Sequence, residues 1–379
     1  MTSSPPASRT VLFDAYWWLE GPIANRTVQR ELVRAWREEF PHDQVVLALR
    51  RAHRARVDDL PPGVRAVSTR AYPHGVSNML ELGRLARRLG AHLVVAHNYT
   101  PLSKVRSATF VHDVMFTEHP EWFSRRERAY FWFMLPSSRR ASVVLTSTRT
   151  EAARIESRAP WTAPVGVTGL GLAPGLLDEA ARPPGDAEGL DEFALCVGRL
   201  NIRKNLAGVV RGAAESRHVT PRTPLLVVGS SEFSGVDAAL PDEVRALVED
   251  GRVRFLGRVD DAELAWLYGA AAVTVFLSRD EGFGMPVLEA SWFGSPLVLA
   301  DIPVFREVGG RAAHYVDPDA DPAVVGAVLD RAWNAPPSDE ERQEVLARYG
   351  WRSAVRRLRD AVAREAGAPA HPADPADPA

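Results

Sequence analysis

One cysteine, Cys196, and two lysines, Lys104 and Lys204, are all that 379 residues contain of either type. The lone thiol excludes an internal disulfide and suits a reducing compartment. Net charge is also missing: 46 basic and 48 acidic residues leave −2, which removes a global electrostatic case for nucleic acid and leaves only a local patch open. No apolar run approaches the roughly 18 residues needed to span a bilayer. The N-terminal "VLFDAYWWL" is short, contains Asp14 and lacks basic flanks, so it does not read as a signal peptide. The expectation is a cytoplasmic protein. With 46% hydrophobic and 25% charged residues its composition is that of a globular chain, and its length suggests two domains.

What is present is alternation. Short β-branched runs at 10–16, 44–50, 92–98, 107–113 and 142–148 read as strands, with a helix over 24–40. A second series follows at 192–200, 224–230, 253–259, 273–278, 296–301 and 312–317, with helices over 262–271 and 286–294. Strands separated by helices indicate parallel sheets wound on both faces. The fold class is α/β, with two Rossmann-like doubly wound domains expected to face a cleft. Boundaries are drawn at 1–172 for the first domain, 173–190 for a Gly/Pro-rich linker and 191–348 for the second domain. A last helix over 349–366 and an Ala-Pro-Asp tail over 367–379, read as disordered, complete the chain. Ligands of such sheets gather beyond the carboxyl ends of the strands.

After the strand 273–278 comes "RDEGFGMPVLEASWFG". Gly282 and Gly284 permit backbone forms closed to other residues, and Pro286 suits the first turn of a helix. Glu281 then lies in the loop and Glu289 about one turn into the helix. The exposed N–H groups and partial positive charge of that N-terminus make a seat for phosphate. A plain strand-to-helix turn, with Glu289 favouring the helix dipole, is the alternative.

Glu281 and Glu289, at either end of "EGFGMPVLE", match the E-x7-E motif of retaining glycosyltransferases of the GT-B kind. The downstream "PLVLADIPVFREVG" resembles their family 4, most of all the mannosyl- and rhamnosyltransferases of bacterial surface polysaccharides. The resemblance runs from about Val11 to Leu358 and is strongest from Phe193 to Val316. It implies a nucleotide-diphosphate sugar as donor and a glycan, lipid-linked or small-molecule acceptor, with no metal, no cofactor and no nucleic acid.

Carried onto matching positions, the resemblance gives Glu281 and His112 catalytic roles. It gives the diphosphate to Arg199, Lys204 and the segment Gly282, Phe283, Gly284, Met285, Pro286 and Val287, and the ribose to Glu289. Charge-assisted hydrogen bonds of about 1.5–3 kcal/mol each, with up to ~2 kcal/mol from a helix N-terminus, supply part of the ~8 kcal/mol or more of catalysis. With so few lysines, one placed five residues after Arg199 stands out as a phosphate contact.

His112, in "FVHDVMFTEHPEWF", would meet the donor sugar through its ring or its backbone carbonyl, with Asp113 capping the next turn or orienting it. Val259 and Asp261 would line the nucleobase, unless Asp260 or Asp261 is simply a helix N-cap. Gly21-Pro22 replaces the family's double glycine, and Pro22 removes an N–H from that loop. The basic, aromatic run 123–140 reads either as peripheral membrane contact at the inner membrane face or, better, as a helix with its aromatic face in the first-domain core. A non-catalytic GT-B scaffold that binds nucleotide sugar, and a nucleotide-sugar epimerase, are the competing functions.

Overall fold

The computed structural model describes residues 8–56, 60–178, 180–198, 202–229, 242–365 and 367. The chain divides into two compact units, Met1–Gly171 with Tyr349–Ala379, and Leu172–Arg348.

The first unit holds β1 (Thr10–Asp14), β2 (Gln44–Arg50), β3 (Arg65–Thr69), β4 (Leu93–His97), β5 (Ser107–Phe110), β6 (Val143–Thr146) and β7 (Val165–Val167). They form one parallel sheet in the order β3-β2-β1-β4-β5-β6-β7. The second unit holds β8 (Ala194–Val197), β9 (Leu225–Val228), β10 (Val253–Gly257), β11 (Val273–Phe276), β12 (Leu297–Ala300) and β13 (Ala313–Val316). These are also parallel, ordered β10-β9-β8-β11-β12-β13. Each central strand is buried on both faces, as β4, β5, β8 and β11 show, which is why they read as unbroken apolar runs. β3 and β7 were not expected. β3 is a half-exposed, mixed-polarity edge strand and β7 only three residues long, so neither carries the apolar signal of a central strand.

Each sheet grows outward from its first strand, then crosses back and grows the other way. The reversal falls between β1 and β4 in one unit and between β8 and β11 in the other. Crossovers leave both switch points open at the carboxyl edge, the usual ligand position in such sheets.

The helices that frame these points are α1 (Ile23–Glu39), α2 (Arg125–Phe131), α3 (Leu206–Glu215), α4 (Asp261–Ala270), α5 (Met285–Trp292), α6 (Pro322–Ala332) and α7 (Trp351–Arg364). α7 is a helix of the first unit. It buries Ala354, Val355, Leu358, Ala361 and Val362, while Arg356 pairs with Glu39 at 2.6 Å and Arg359 lies 4.0 Å above the Phe40 ring. The stretch 173–190, read as a linker, carries a short helix Gly175–Asp178 and buries Leu176 and Ala187 in the second unit. Apart from Gly367, the tail expected to be disordered lies outside the described residues.

In the second unit α3 and α6 pack backbone to backbone at Gly326. A Cβ there would stand 2.8 Å from the Glu215 carbonyl carbon and 3.0 Å from its oxygen. Gly326→Ala should therefore push the helices apart and destabilise this unit by about 1–3 kcal/mol. Denaturant unfolding followed in the second unit measures it, and an unchanged midpoint would refute the close-packing account.

Candidate active site

The second unit's switch point collects an acid and two cations from distant parts of the sequence. Beyond β8 the chain makes a one-turn helix, Ile202–Lys204, that puts Arg203 and Lys204 side by side. Its main chain is tied to the segment after β11, because the Arg279 N–H donates to the Arg203 carbonyl at 2.9 Å. Glu281, two residues further on, is buried. Arg203 Nη1 lies 2.9 Å from Glu281 Oε2, and Lys204 Nζ lies 2.6 Å from Oε1. Burial alone would raise the Glu281 pKa, but Arg203 and Lys204 outweigh it and hold the carboxyl at about 2. The Lys204 stem passes Gly198, where a Cβ would stand 3.6 Å from its Cε, an ordinary contact. Asp280, also buried, accepts the Glu281 N–H at 2.8 Å and fixes the peptide that carries it.

Gly284 caps α5 in the left-handed region, φ +92°, against the Phe305 ring; a Cβ there would come within 2.9 Å of that ring. Pro286 is the second residue of the helix. The Val287 N–H is already given to the Gly284 carbonyl at 2.9 Å, and Pro286 has none. The phosphate seat expected over 282–287 is thus narrowed at its helical end, leaving Gly284 and Met285 as donors unused by the chain among the described residues.

Glu289 sits one turn into α5, where Tyr268 of α4 donates to its Oε2 at 3.0 Å. Burial raises its pKa to about 7 despite that bond, with Asp261 adding to the rise and Lys204 opposing it. The two acids of one motif therefore titrate in opposite directions. Glu281 has cations for company, whereas Glu289 has a phenol.

The remaining positions divide. Arg199 lies outside the described residues. Asp260, not Asp261, caps α4, in a capping box with Glu263. Asp261 is exposed, with its carboxylate against Gly175, and Val259 lies part-buried just before it. Sequence reading missed Arg203. In a chain with 44 arginines no single one stands out, and only the fold brings this one to Glu281.

In the first unit the switch point is occupied by Asp14 at the end of β1, His97 at the end of β4 and His112 beyond β5. Asp14 accepts from His74 Nε2 at 2.7 Å, Asn78 Nδ2 at 2.8 Å and the Tyr16 N–H at 3.0 Å. Burial opposes its ionisation, but His74, His97 and Asn78 together hold it at about 2. The imidazoles of His97 and His112 stack at 5.3 Å, with His97 Nδ1 3.2 Å from His112 Nε2. Asn98, left-handed at φ 59°, receives the His112 N–H on its side-chain oxygen. Asp113 accepts the Met115 N–H at 3.4 Å, a cap on the turn that follows.

Gly21 needs its φ of +119° and its lack of a side chain for a structural reason, since a Cβ would enter the Trp17 ring. Pro22 sits at the N-cap of α1 and accepts the Arg26 N–H.

Two doubly wound parallel units, each with a buried carboxylate at its switch point, define a protein of the GT-B architecture. Residues 178–346 match the family Glycosyl transferases group 1, and the second unit carries a domain of that family. O-antigen chain mannosyltransferase B of Escherichia coli is 33% identical over 150 residues, 37% of this chain and 38% of that protein. The O-antigen chain mannosyltransferase RfbU of Salmonella typhimurium is 28% identical over 227 residues, 59% of this chain and 60% of its own. The chain thus spans 38% and 60% of these two curated relatives, less than two thirds of either. Sucrose-phosphate synthase from Thermosynechococcus elongatus shares the fold, with a TM-score of 0.68 at 17% identity over 92% of this chain and 96% of its own.

The opposite titration of the two acids has a measurable sign. Glu289, raised from 4.5 to about 7, favours the folded state when protonated. Its contribution is full below pH 4.5 and lost as pH rises through 7. Glu289→Gln should flatten the second unit's melting temperature between pH 5 and 8 relative to the parent. A parallel pair of pH profiles would show that Glu289 is not the group responsible.

Proposed function

We propose that the protein is a retaining glycosyltransferase. It moves a hexose, mannose- or rhamnose-like, from a nucleotide-diphosphate sugar to an acceptor hydroxyl in bacterial glycan biosynthesis, without metal or cofactor. The observation that carries this reading is Glu281, held ionised by Arg203 and Lys204 beside the N-terminus of α5, within a group 1 glycosyl transferase domain. A carboxyl with a pKa near 2 carries no proton to donate at neutral pH. Its work is electrostatic: it steadies the oxocarbenium-like carbon and holds sugar hydroxyls. Arg199, Lys204 and the N–H groups at the start of α5 neutralise the departing diphosphate. Glu289, partly protonated near neutral pH, takes the ribose hydroxyls, and His112 contacts the donor sugar.

In the reaction the acceptor oxygen bonds to the anomeric carbon on the face that the phosphate leaves. The carbon–oxygen bond to phosphate breaks with its electron pair going to the phosphate, which receives the acceptor proton. No residue acts as a covalent nucleophile. The mannosyl preference rests on the activities of the two O-antigen relatives.

Thermal shift against UDP-, GDP-, ADP- and dTDP-sugars finds the donor, since ligand at a hundred times Kd stabilises by about 2.7 kcal/mol. Nucleotide diphosphate release with acceptor then tests the reaction. Glu281→Gln should keep nucleotide binding and lower kcat on the order of 10²-fold or more. Full activity in that variant overturns the role. Binding without release points to a scaffold, and a new nucleotide sugar formed without acceptor points to an epimerase.

A membrane-bound acceptor fits the segment 123–140 better than the sequence implied. Tyr130, Phe131, Met134 and Leu135 pack into the first unit's core as expected, but Trp132 and Phe133 are 71% and 58% exposed beside Arg125, Arg126 and Arg128. Among the described residues no helix is long and apolar enough to cross a membrane. Aromatics flanked by arginines suit an anionic lipid surface. Trp132→Ala with Phe133→Ala should lower recovery with anionic liposomes in flotation, and equal recovery of variant and parent removes the idea.

A further inference from the structure

The buried polar cluster at the first unit's switch point contains more than a site residue needs for simple burial. Asp14, His74, Asn78 and His97 are each 1% exposed. Asp14 Oδ2 accepts the His97 N–H at 3.3 Å, and Asn78 Nδ2, itself bound to Asp14, also donates to the His97 carbonyl at 3.0 Å. The main chain of His97 is therefore gripped on both sides by one carboxylate, directly and through Asn78. His74 Nε2 donates to Asp14, while its Nδ1 is buried without a hydrogen-bond partner.

The same accounting sets the protons of the next pair. Burial lowers the pKa of His97 to about 4, and burial with His97 and His74 nearby lowers that of His112 well below its ordinary value, so both rings are neutral at pH 7. Two neutral imidazoles 3.2 Å apart, Nδ1 to Nε2, share one proton. His97 Nε2 is buried with no partner. An orphaned N–H in a sealed site is rarer than an orphaned acceptor, so the proton of His97 belongs on Nδ1, donated to His112. His112 Nε2 is then an acceptor, and its proton must sit on Nδ1. His112 is only part-buried, and its Nδ1 is not among the sealed, partnerless atoms.

We propose that Asp14, Asn78 and His97 are positioning residues that lock His112 into the Nδ1–H tautomer, so that it presents a neutral hydrogen-bond donor at the carboxyl edge of the first sheet. A donor there binds a lone pair of the transferred sugar and cannot act as a base at neutral pH. The sugar as the recipient rests on the proposed function; the tautomer does not. A cluster that only joined strand ends would place no demand on which nitrogen of His112 carries the proton.

Long-range proton–nitrogen correlation spectra of protein labelled with ¹⁵N-histidine at pH 7 read the tautomer, with His112 assigned as the ring lost in His112→Asn. The wild type should show His112 protonated at Nδ1 alone. His97→Phe keeps a ring but no donor, and should give His112 a mixed or Nε2–H state. In turnover it should lower kcat on the order of ten-fold or more, short of the 10²–10³ of deleting a donor outright, with little change in KM for the nucleotide sugar. His97→Asn places an amide N–H where Nδ1 stood and should restore both readouts. A wild-type His112 that is charged or protonated at Nε2 overturns the proposal, as does a His97→Phe spectrum unchanged from wild type or a His97→Asn variant no better than His97→Phe. If His97→Phe fails to fold, the wild-type spectrum still decides the tautomer. If wild type turns over no nucleotide sugar, the proposed function falls and the spectra alone judge the lock.

Discussion

A carboxylate sealed from water stays ionised only where positive charge surrounds it, and Glu281 meets that condition by being held between Arg203 and Lys204. Much of the second unit's local structure serves this contact. The one-turn helix after β8 presents both cations, and the Arg279 to Arg203 backbone bond joins that turn to the end of β11. Gly284, in a backbone form few residues accept, then starts α5 within three residues of the acid. The outcome is fixed negative charge and fixed positive charge side by side at a helix N-terminus, arranged before any ligand arrives. Such preorganisation spares the reorganisation that water would have to undergo around developing charge.

The first unit repeats the idea with different chemistry. Its buried carboxylate, Asp14, is stabilised by hydrogen-bond donors and imidazoles and not by guanidinium or ammonium. Asp14 ends its strand and Glu281 follows its own, each at the reversal of a parallel sheet, where crossovers leave the edge uncovered. Topology sets the place in each unit, and the neighbouring side chains set the charge state. The contrast within one motif makes the same point, since Glu281 and Glu289 are eight residues apart and titrate near 2 and near 7.

Much of the architecture was legible. The central strands lie within a few residues of their expected places because both faces are buried and the apolar runs are unbroken. β3 and β7 escaped because an edge strand with one wet face, or one of three residues, looks like any loop. Lys204 was found through the rarity of lysine, and it does reach the motif, though it meets Glu281 itself. The packing of Gly21 against the Trp17 ring was not legible, because a string of letters does not show which side chain crowds a glycine. Trp132 and Phe133 turn outward at the break between the helices Arg125–Phe131 and Met134–Ser138, a break that the continuous aromatic run did not announce.

The sequence by itself determined two α/β halves, the strand-to-helix turn between Glu281 and Glu289, and the family to which that turn belongs. These depend on periodicity, glycine and proline placement and short-range spacing, all local properties of a chain. The tertiary structure alone decided which acid keeps its charge, that Arg203 and not only Lys204 stands by it, and that His97 lies between Asp14 and His112. Burial and ion pairing are set by residues 60 to 83 positions apart meeting at a strand end, and local sequence carries no record of such meetings.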